Sequence, residues 1–391
     1  MPVIPSLTVN ATPQGIREKL RNLHWGLIFT IIAITSIGIV MLYSASGGSF
    51  EPWANKQIIR FGIGLLIMLG IALIDLRLLL KHAYSFYILA LILLVAVLFI
   101  GEEAKGARRW IDIGSFQLQP SEIMKIALIL ALAKYFHGYN FDNMNRPIRL
   151  IITLILPGIL ILIPTFLIEK QPDMGTAGML ALSGVFLLFA VGIPMWIFIS
   201  AGAVGLILIT IFWNVLFHGY QKDRILTFLD PESNPLGTGY HIIQSKIAIG
   251  SGGLFGKGYL QGTQSHLDFL PERHTDFIFT MLAEEFGLIG GVTVIVLFGA
   301  LIFIGHHIAT QCRNHFGRVL CMGLTVNIFL YVFINTAMVM GLIPVVGVPL
   351  PLVSYGGTAM MTVLVGFGLM LSVYIHRNTP IGRRGSNNDE L

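Results

Sequence analysis

Long apolar stretches recur along this chain, and they constrain its fold more than any other feature. Ten qualify as membrane-spanning helices, at approximately 25–43, 57–74, 83–100, 120–136, 149–168, 175–191, 194–216, 277–305, 319–342 and 352–375. A helix needs about 20 mainly apolar residues to cross the hydrocarbon core, and only helices or closed barrels satisfy their backbone there. Composition agrees. The 391 residues are 55% hydrophobic and only 12% charged, about half the charged fraction of a soluble domain. The expected fold is an all-α polytopic membrane protein. It divides into a tail at 1–24, a ten-span membrane domain at 25–376 with a large loop at 217–276, and a second tail at 377–391.

The sixth and seventh stretches meet at Gly192–Pro194, which makes their division the least defined. Residues before Trp25 lack an apolar core, and the stretch after it exceeds a signal-peptide core, so it reads as an uncleaved first span. The net charge of +5 is scattered, which excludes a nucleic-acid footprint. Cys312 and Cys321 have neither redox nor metal-ligand spacing and are expected as free thiols.

An even span count puts both termini on one side. With the N-terminus inside, inner segments carry Arg17, Lys19, Arg21, Arg77, Lys81, Arg146, Arg149, Arg313, Arg318, Arg377, Arg383 and Arg384, while short outer loops carry Lys56, Lys105, Arg108, Arg109 and Lys170. This bias predicts cytoplasmic termini by the positive-inside rule. Three outer segments then stand out: a charged loop at 101–119, a short acidic turn at 169–174 and the long loop at 217–276. The long loop keeps apolar and aromatic residues, which argues for order rather than disorder.

GSGGLFGKG at 250–258 invites a nucleotide-binding reading that its spacing refuses. A P-loop would need Gly and Ser/Thr where Ser251 and Gly258 stand, and the dinucleotide pattern fails at Phe255. Two readings remain: glycines that allow tight turns and close packing, or backbone N–H groups that cradle a phosphate-bearing headgroup.

The unusual chemistry lies in PERHTDFIF, residues 271–279, at the doorstep of the eighth span. A capping Thr275 or Asp276 explains one polar residue there; it leaves Glu272, Arg273 and His274 unexplained, with Glu284 and Glu285 further on. On one helix Glu284 and Glu285 lie about 80° and 180° from Asp276. Either the lipid-facing part begins near Leu288, or at least one Glu points into a protein cavity. In the fourth span Glu122 and Lys125 share a helical face at i, i+3. An intramembrane lysine marks a functional site by default; its partner is Glu122 or, across the fold, Asp276. The segment 343–357, IPVVGVPLPLVSYGG, is irregular and survives at membrane depth only where protein or water covers it.

Together PERHTDFIF with its downstream AEE, KGARRWIDIG, QPSEIMK, QPDMGT, GYHIIQSKIAIGSGGLFGKG and VPLPLVSYGG resemble the SEDS proteins of bacterial cell-wall synthesis. GTQSHLDFLPERHTDF and VGVPLPLVSYGG look more like the RodA (elongation, rod-shape) branch than the FtsW (division) branch. The resemblance implies a peptidoglycan glycosyltransferase of the inner membrane that polymerises lipid II and releases undecaprenyl diphosphate. Its partners would be a class B penicillin-binding protein and other membrane proteins of the elongation complex. The family's essential aspartate falls on Asp276, expected as the base for the attacking sugar hydroxyl. Lys125, Glu122, Arg109, Lys56, Glu272, Arg273, His274 and Ser354 are the expected substrate-binding residues, with the cations facing the diphosphate. Lys at position 56, where the family often has Arg, weakens a bidentate phosphate contact there. The residues point to no certain cofactor; a divalent cation, Mg or Mn, would suit the diphosphate. A lipid II flippase is the alternative, which the gathering of charge at one face disfavours. A pure scaffold would leave Lys125 and the acidic doorstep without a role.

Overall fold

The computed structural model describes residues 15–104, 107–114, 116–138, 151–211, 219–231, 238–266 and 272–382. Arg146, Arg149, Lys105, Arg383, Arg384 and parts of the long loop lie outside the described residues.

A short helix, α1 (Ile16–Arg21), precedes α2 (Trp25–Ala45), α3 (Ala54–Ala72) and α4 (Leu76–Ile100). Lys19 anchors α1 by donating to the Leu73 carbonyl beyond α3, at 2.9 Å. Strands β1 (Glu102–Ala104), β2 (Ala107–Ile113) and β3 (Phe116–Leu118) follow, then α5 (Pro120–His137). A π-helical turn at Ile151–Ile155 leads into α6 (Leu156–Glu169), with α7 (Met174–Ala190) and α8 (Met195–Ile211) after it. The long segment holds α9 (Gly219–Leu229), α10 (Thr238–Ser251) and α11 (Thr263–His266). The chain then returns through α12 (Ile278–Gln311), α13 (His315–Val339) and α14 (Gly357–Ile375).

Among the described residues, seven helices are long and apolar enough to cross a membrane: α2, α3, α4, α6 with its π-turn, α12, α13 and α14. The predicted fourth, sixth and seventh spans coincide with α5, α7 and α8, which restores the ten-span pattern. Gly192, in a left-handed conformation, and Pro194 separate α7 from α8. α5 misses the apolar criterion because it carries Glu122, Lys125 and Lys134, and nearly all its residues are buried. It is the central helix of the bundle. The peripheral helices instead expose Leu66, Phe99, Leu162 and Leu206, as lipid-facing surfaces should.

The charged loop at 101–119 carries strands that the sequence did not show. It forms a three-stranded antiparallel sheet in the order β1-β2-β3, with Ile111 opposite Leu118 and Asp112 opposite Gln117. Ordinary α patterning gives no hint of it, because the strands are 3, 7 and 3 residues long.

The irregular 340–356 segment runs between helices, as its membrane-depth backbone requires. A Cβ on Gly38 of α2 would lie 2.6 Å from the Val353 Cα, and one on Gly175 of α7 would overlap the Val346 carbonyl. Side chains satisfy its backbone. Gln57 Nε2 donates to the Ser354 carbonyl at 3.1 Å, Asn335 Nδ2 to the Val348 carbonyl at 2.7 Å, and Leu350 N to Ser354 Oγ at 2.8 Å.

Candidate active site

α12 is broken at Gly287 (φ 66°, ψ −160°), and Leu288 and Ile289 beyond the break are exposed as lipid-facing residues are. This is the first of the two arrangements anticipated for Glu284 and Glu285. Both carboxylates serve the glycine-rich segment and its neighbours instead of a ligand cavity. Glu284 accepts from Lys257 Nζ at 2.7 Å and from Gln264 N at 2.9 Å; Glu285 accepts from Ser44 Oγ at 2.5 Å. The 250–258 backbone lies against the break, with Lys257 N donating to the Glu284 carbonyl and Gly258 N to that of Glu285, at 3.0 and 3.1 Å. A Cβ on Gly256 would overlap the Glu285 carbonyl. These glycines allow close backbone approach, and two N–H groups a phosphate cradle would need are already used.

A cavity of about 720 Å³ opens where the sheet, the 169–174 turn, the doorstep and the 340–356 segment meet. Asp276, Glu272, His274, Glu122, Lys125 and Arg109 all line it. Lys56, Arg273 and Ser354 do not, although the sequence pointed to them. Lys56 is exposed on the first turn of α3, and Arg60, one turn later, reaches the cavity in its place. Ser354 is a buried strut whose Oγ donates to the Thr275 carbonyl at 2.7 Å.

Asp276 is held through its backbone. Asn335 of α13 donates to its carbonyl at 2.9 Å, and a Cβ on Gly347 would sit 3.4 Å from its Oδ2. The carboxylate packs beside Gly347 of the irregular segment. His274 is fixed by stacking on Trp53, with ring centroids 4.3 Å apart and 10° between planes, and its carbonyl accepts from Tyr355 N at 2.8 Å.

Lys125 takes the near partner of the two the sequence left open. Its Nζ lies 2.7 Å from Glu122 Oε1 and bonds the Tyr331 hydroxyl, which in turn donates to Glu122 Oε2. The ammonium also sits 4.1 Å from the Tyr331 ring centroid. Lys125, Glu122 and Tyr331 are 1%, 3% and 1% exposed, so the pair is dry and closed on itself by the tyrosine. Sequence reasoning missed Tyr331. It lies 206 residues from Lys125 in the chain and reads as an ordinary core aromatic.

Arg109 on β2 is also engaged. It donates to the carbonyls of Gln171, at 3.3 Å, and Pro172, and lies 4.0 Å from Asp173. Asp173 caps α7 through Thr176 N at 3.3 Å and accepts from Gln119 Nε2 at 3.2 Å. The acidic turn is thus a fastener between sheet, α5 and α7.

Among the described residues no three His, Cys, Asp or Glu side chains converge as a metal site. Glu122 and Asp173 are consumed by their protein partners. Glu272 and Asp276 line the cavity together, and no chemical step is assigned to a divalent cation.

Residues 24–379 match the model of the FtsW/RodA/SpoVE cell cycle protein family. The chain belongs to that family. It is 47% identical to the peptidoglycan glycosyltransferase MrdB of Escherichia coli K12, over 95% of this chain and 98% of that one. It is 39% identical to a probable peptidoglycan glycosyltransferase FtsW of Trichlorobacter lovleyi, over 92% and 95%. Among solved structures it resembles one described as "Structural coordination of polymerization and crosslinking by a peptidoglycan synthase complex", with a TM-score of 0.78, 32% identity, and 92% and 99% coverage. The rod shape determining protein RodA of Thermus thermophilus gives a TM-score of 0.69 at 30% identity, over 92% and 98%.

Proposed function

We propose that this protein is a RodA-like peptidoglycan glycosyltransferase that polymerises lipid II. The observation that carries the reading is Asp276. Its backbone is fixed by Asn335, and it lines a cavity shared with four Lys and Arg side chains. The Asp276 carboxylate takes the proton of the acceptor sugar hydroxyl as that oxygen attacks the donor's anomeric carbon. The bond from that carbon to the diphosphate oxygen breaks, and its electron pair leaves on the diphosphate. One displacement inverts the anomeric centre, with no sugar–enzyme bond. Cationic groups in the cavity stabilise the charge gathering on the leaving diphosphate. Glu122, Lys125 and Tyr331 form the floor that keeps this cavity polar and fixed in shape.

Both termini are cytoplasmic and the cavity opens to the periplasm, a reading supported by the excess of basic residues on the inner segments. The 25–376 region is the catalytic membrane domain. The partner is a class B penicillin-binding protein of the elongation complex, supported by the likeness to a structure of a peptidoglycan synthase complex.

Purified protein is incubated with lipid II and its penicillin-binding partner, whose transpeptidase is blocked. Glycan strands are the expected product. Absence of strands together with movement of labelled lipid II across liposomes would replace the enzyme by a transporter.

A further inference from the structure

The cations lining the cavity are not equivalent. Lys125 is bound by Glu122 and Tyr331, and Arg109 by two carbonyls near Asp173. Arg60 has no such engagement. Among the described residues no hydrogen-bond acceptor or carboxylate is paired with its guanidinium. It is nevertheless held in place. Its Cζ lies 4.9 Å from the Tyr355 ring centroid, and a Cβ on Gly357 would come within 3.0 Å of it.

Tyr355 and Gly357 thus confine the flat group, while its five N–H donors lie along its edges. A side chain at 357 would crowd the guanidinium and require it to shift by a few tenths of an ångström. The helix beneath is equally constrained. A Cβ on Gly368 of α14 would lie 2.7 Å from the Met68 carbonyl of α3, and Gln57 ties α3 to Ser354 three residues before Arg60. A positioned, permanently charged fork without an internal acceptor is suited to an external one with paired oxygens.

We propose that Arg60 binds a phosphate oxygen of the lipid-linked diphosphate, the role that the sequence assigned to Lys56. The inference rests on the glycosyltransferase reading, and it makes Arg60 a cation that receives the charge of the diphosphate, with Arg224 of α9 lining the same cavity. Lys125, closed on Glu122, then shapes the cavity without touching the phosphates.

The test uses the full-length protein with its partner and the variants Arg60→Met, which keeps the stem, and Arg60→Lys, which keeps the charge. Polymerisation gives KM for lipid II and kcat; thermal-shift titration compares undecaprenyl diphosphate with undecaprenol. Arg60→Met is expected to weaken lipid II and undecaprenyl diphosphate about tenfold to hundredfold, with undecaprenol unaffected and Arg60→Lys intermediate. A loss confined to one of the two diphosphate ligands identifies whether donor or product is held. Affinity for both within twofold of wild type overturns the proposal, as does an equal loss for undecaprenol, which would mark a packing role. If Arg60→Met does not fold, undiminished binding of both diphosphates by Arg60→Lys overturns it and a selective loss supports it. If wild type makes no strands, the enzyme reading fails, while the titration still decides whether Arg60 recognises the diphosphate.

Discussion

Asn335 and Asp276 are joined across the fold. The Asn335 amide donates to the Asp276 carbonyl at 2.9 Å and to the Val348 carbonyl at 2.7 Å. One side chain on α13 therefore sets the doorstep against the irregular segment that walls the cavity. Asn335→Leu should leave two carbonyls without their donor, at about 1–3 kcal/mol for a buried group. It should also lower kcat by at least about tenfold, because small misplacement of a reacting group is costly. Thermal unfolding and polymerisation rates measured on the same preparation check both parts. A full rate with lowered stability would separate Asn335 from the chemistry.

The Lys125–Glu122–Tyr331 cluster predicts strong non-additivity. Removing one member of a buried pair typically costs about 3–5 kcal/mol, because the other charge is stranded. Lys125→Met should therefore destabilise more than the double variant Lys125→Met/Glu122→Gln. Tyr331→Phe should lie between the double variant and wild type. Chemical or thermal unfolding of wild type, Lys125→Met, Glu122→Gln, the double variant and Tyr331→Phe in one detergent gives the comparison. Simple additivity would mean that the pair is more hydrated than its 1% and 3% exposure indicates.

The glycine-rich segment separates two costs that usually travel together. Gly253 and Gly256 both have positive φ, 57° and 81°, but only at Gly256 would a Cβ overlap neighbouring backbone. Gly253→Ala should cost only the left-handed penalty of about 1–2 kcal/mol. Gly256→Ala should cost clearly more, because Glu285 and the Gly287 break must shift. Equal melting-temperature losses would contradict close approach as the reason for the glycines.

His241, on α10 in the outer segment, is held below its ordinary pKa of 6.5 by burial, with Glu272 opposing the shift. A lowered folded value means that the unfolded chain binds the proton more readily. The stabilisation is therefore present above pH 6.5 and lost as pH falls through the folded value. Hydrogen exchange of residues 238–251 should speed up more between pH 7.5 and 5.5 than the chemical rate explains, and His241→Phe should remove the excess. An unchanged pH profile in that variant would assign the effect elsewhere.

The bundle was legible in the sequence because span length and apolarity are local properties. The doorstep stood out because it crowds charge against hydrocarbon. What escaped depends on rotation or distance. Lys56 and Arg60 lie on the same flank of α3, about 40° apart at 100° per residue, so sequence alone could not tell which one enters the cavity. Tyr331 and Asn335 act on α5 and the doorstep from a helix far along the chain. Glu284 and Glu285 looked available for chemistry because their partners, Lys257 and Ser44, come from other segments. The β1–β3 sheet was missed for the opposite reason, since its strands are too short to show a clear period.

Lys56 is exposed and Arg60 lines the cavity, which sets up a paired comparison. Lys56→Ala should change kcat/KM by no more than about twofold, whereas Arg60→Ala should lower it about tenfold or more. Steady-state polymerisation under matched salt checks it. A larger effect at Lys56 would return the phosphate contact to the position the sequence suggested.

The central claim concerns Asp276, and Asp276→Asn tests it most directly, since it keeps the shape and removes the basic carboxylate. Lipid II polymerisation by the folded variant, with the partner's transpeptidase blocked, should fall by about 10²–10⁴, the usual contribution of a general base, while lipid II binding stays near wild type. Strand synthesis at the wild-type rate would contradict the account; Asp276 would then be a structural element of the doorstep, and the base would have to be sought at Glu272, which lines the same cavity.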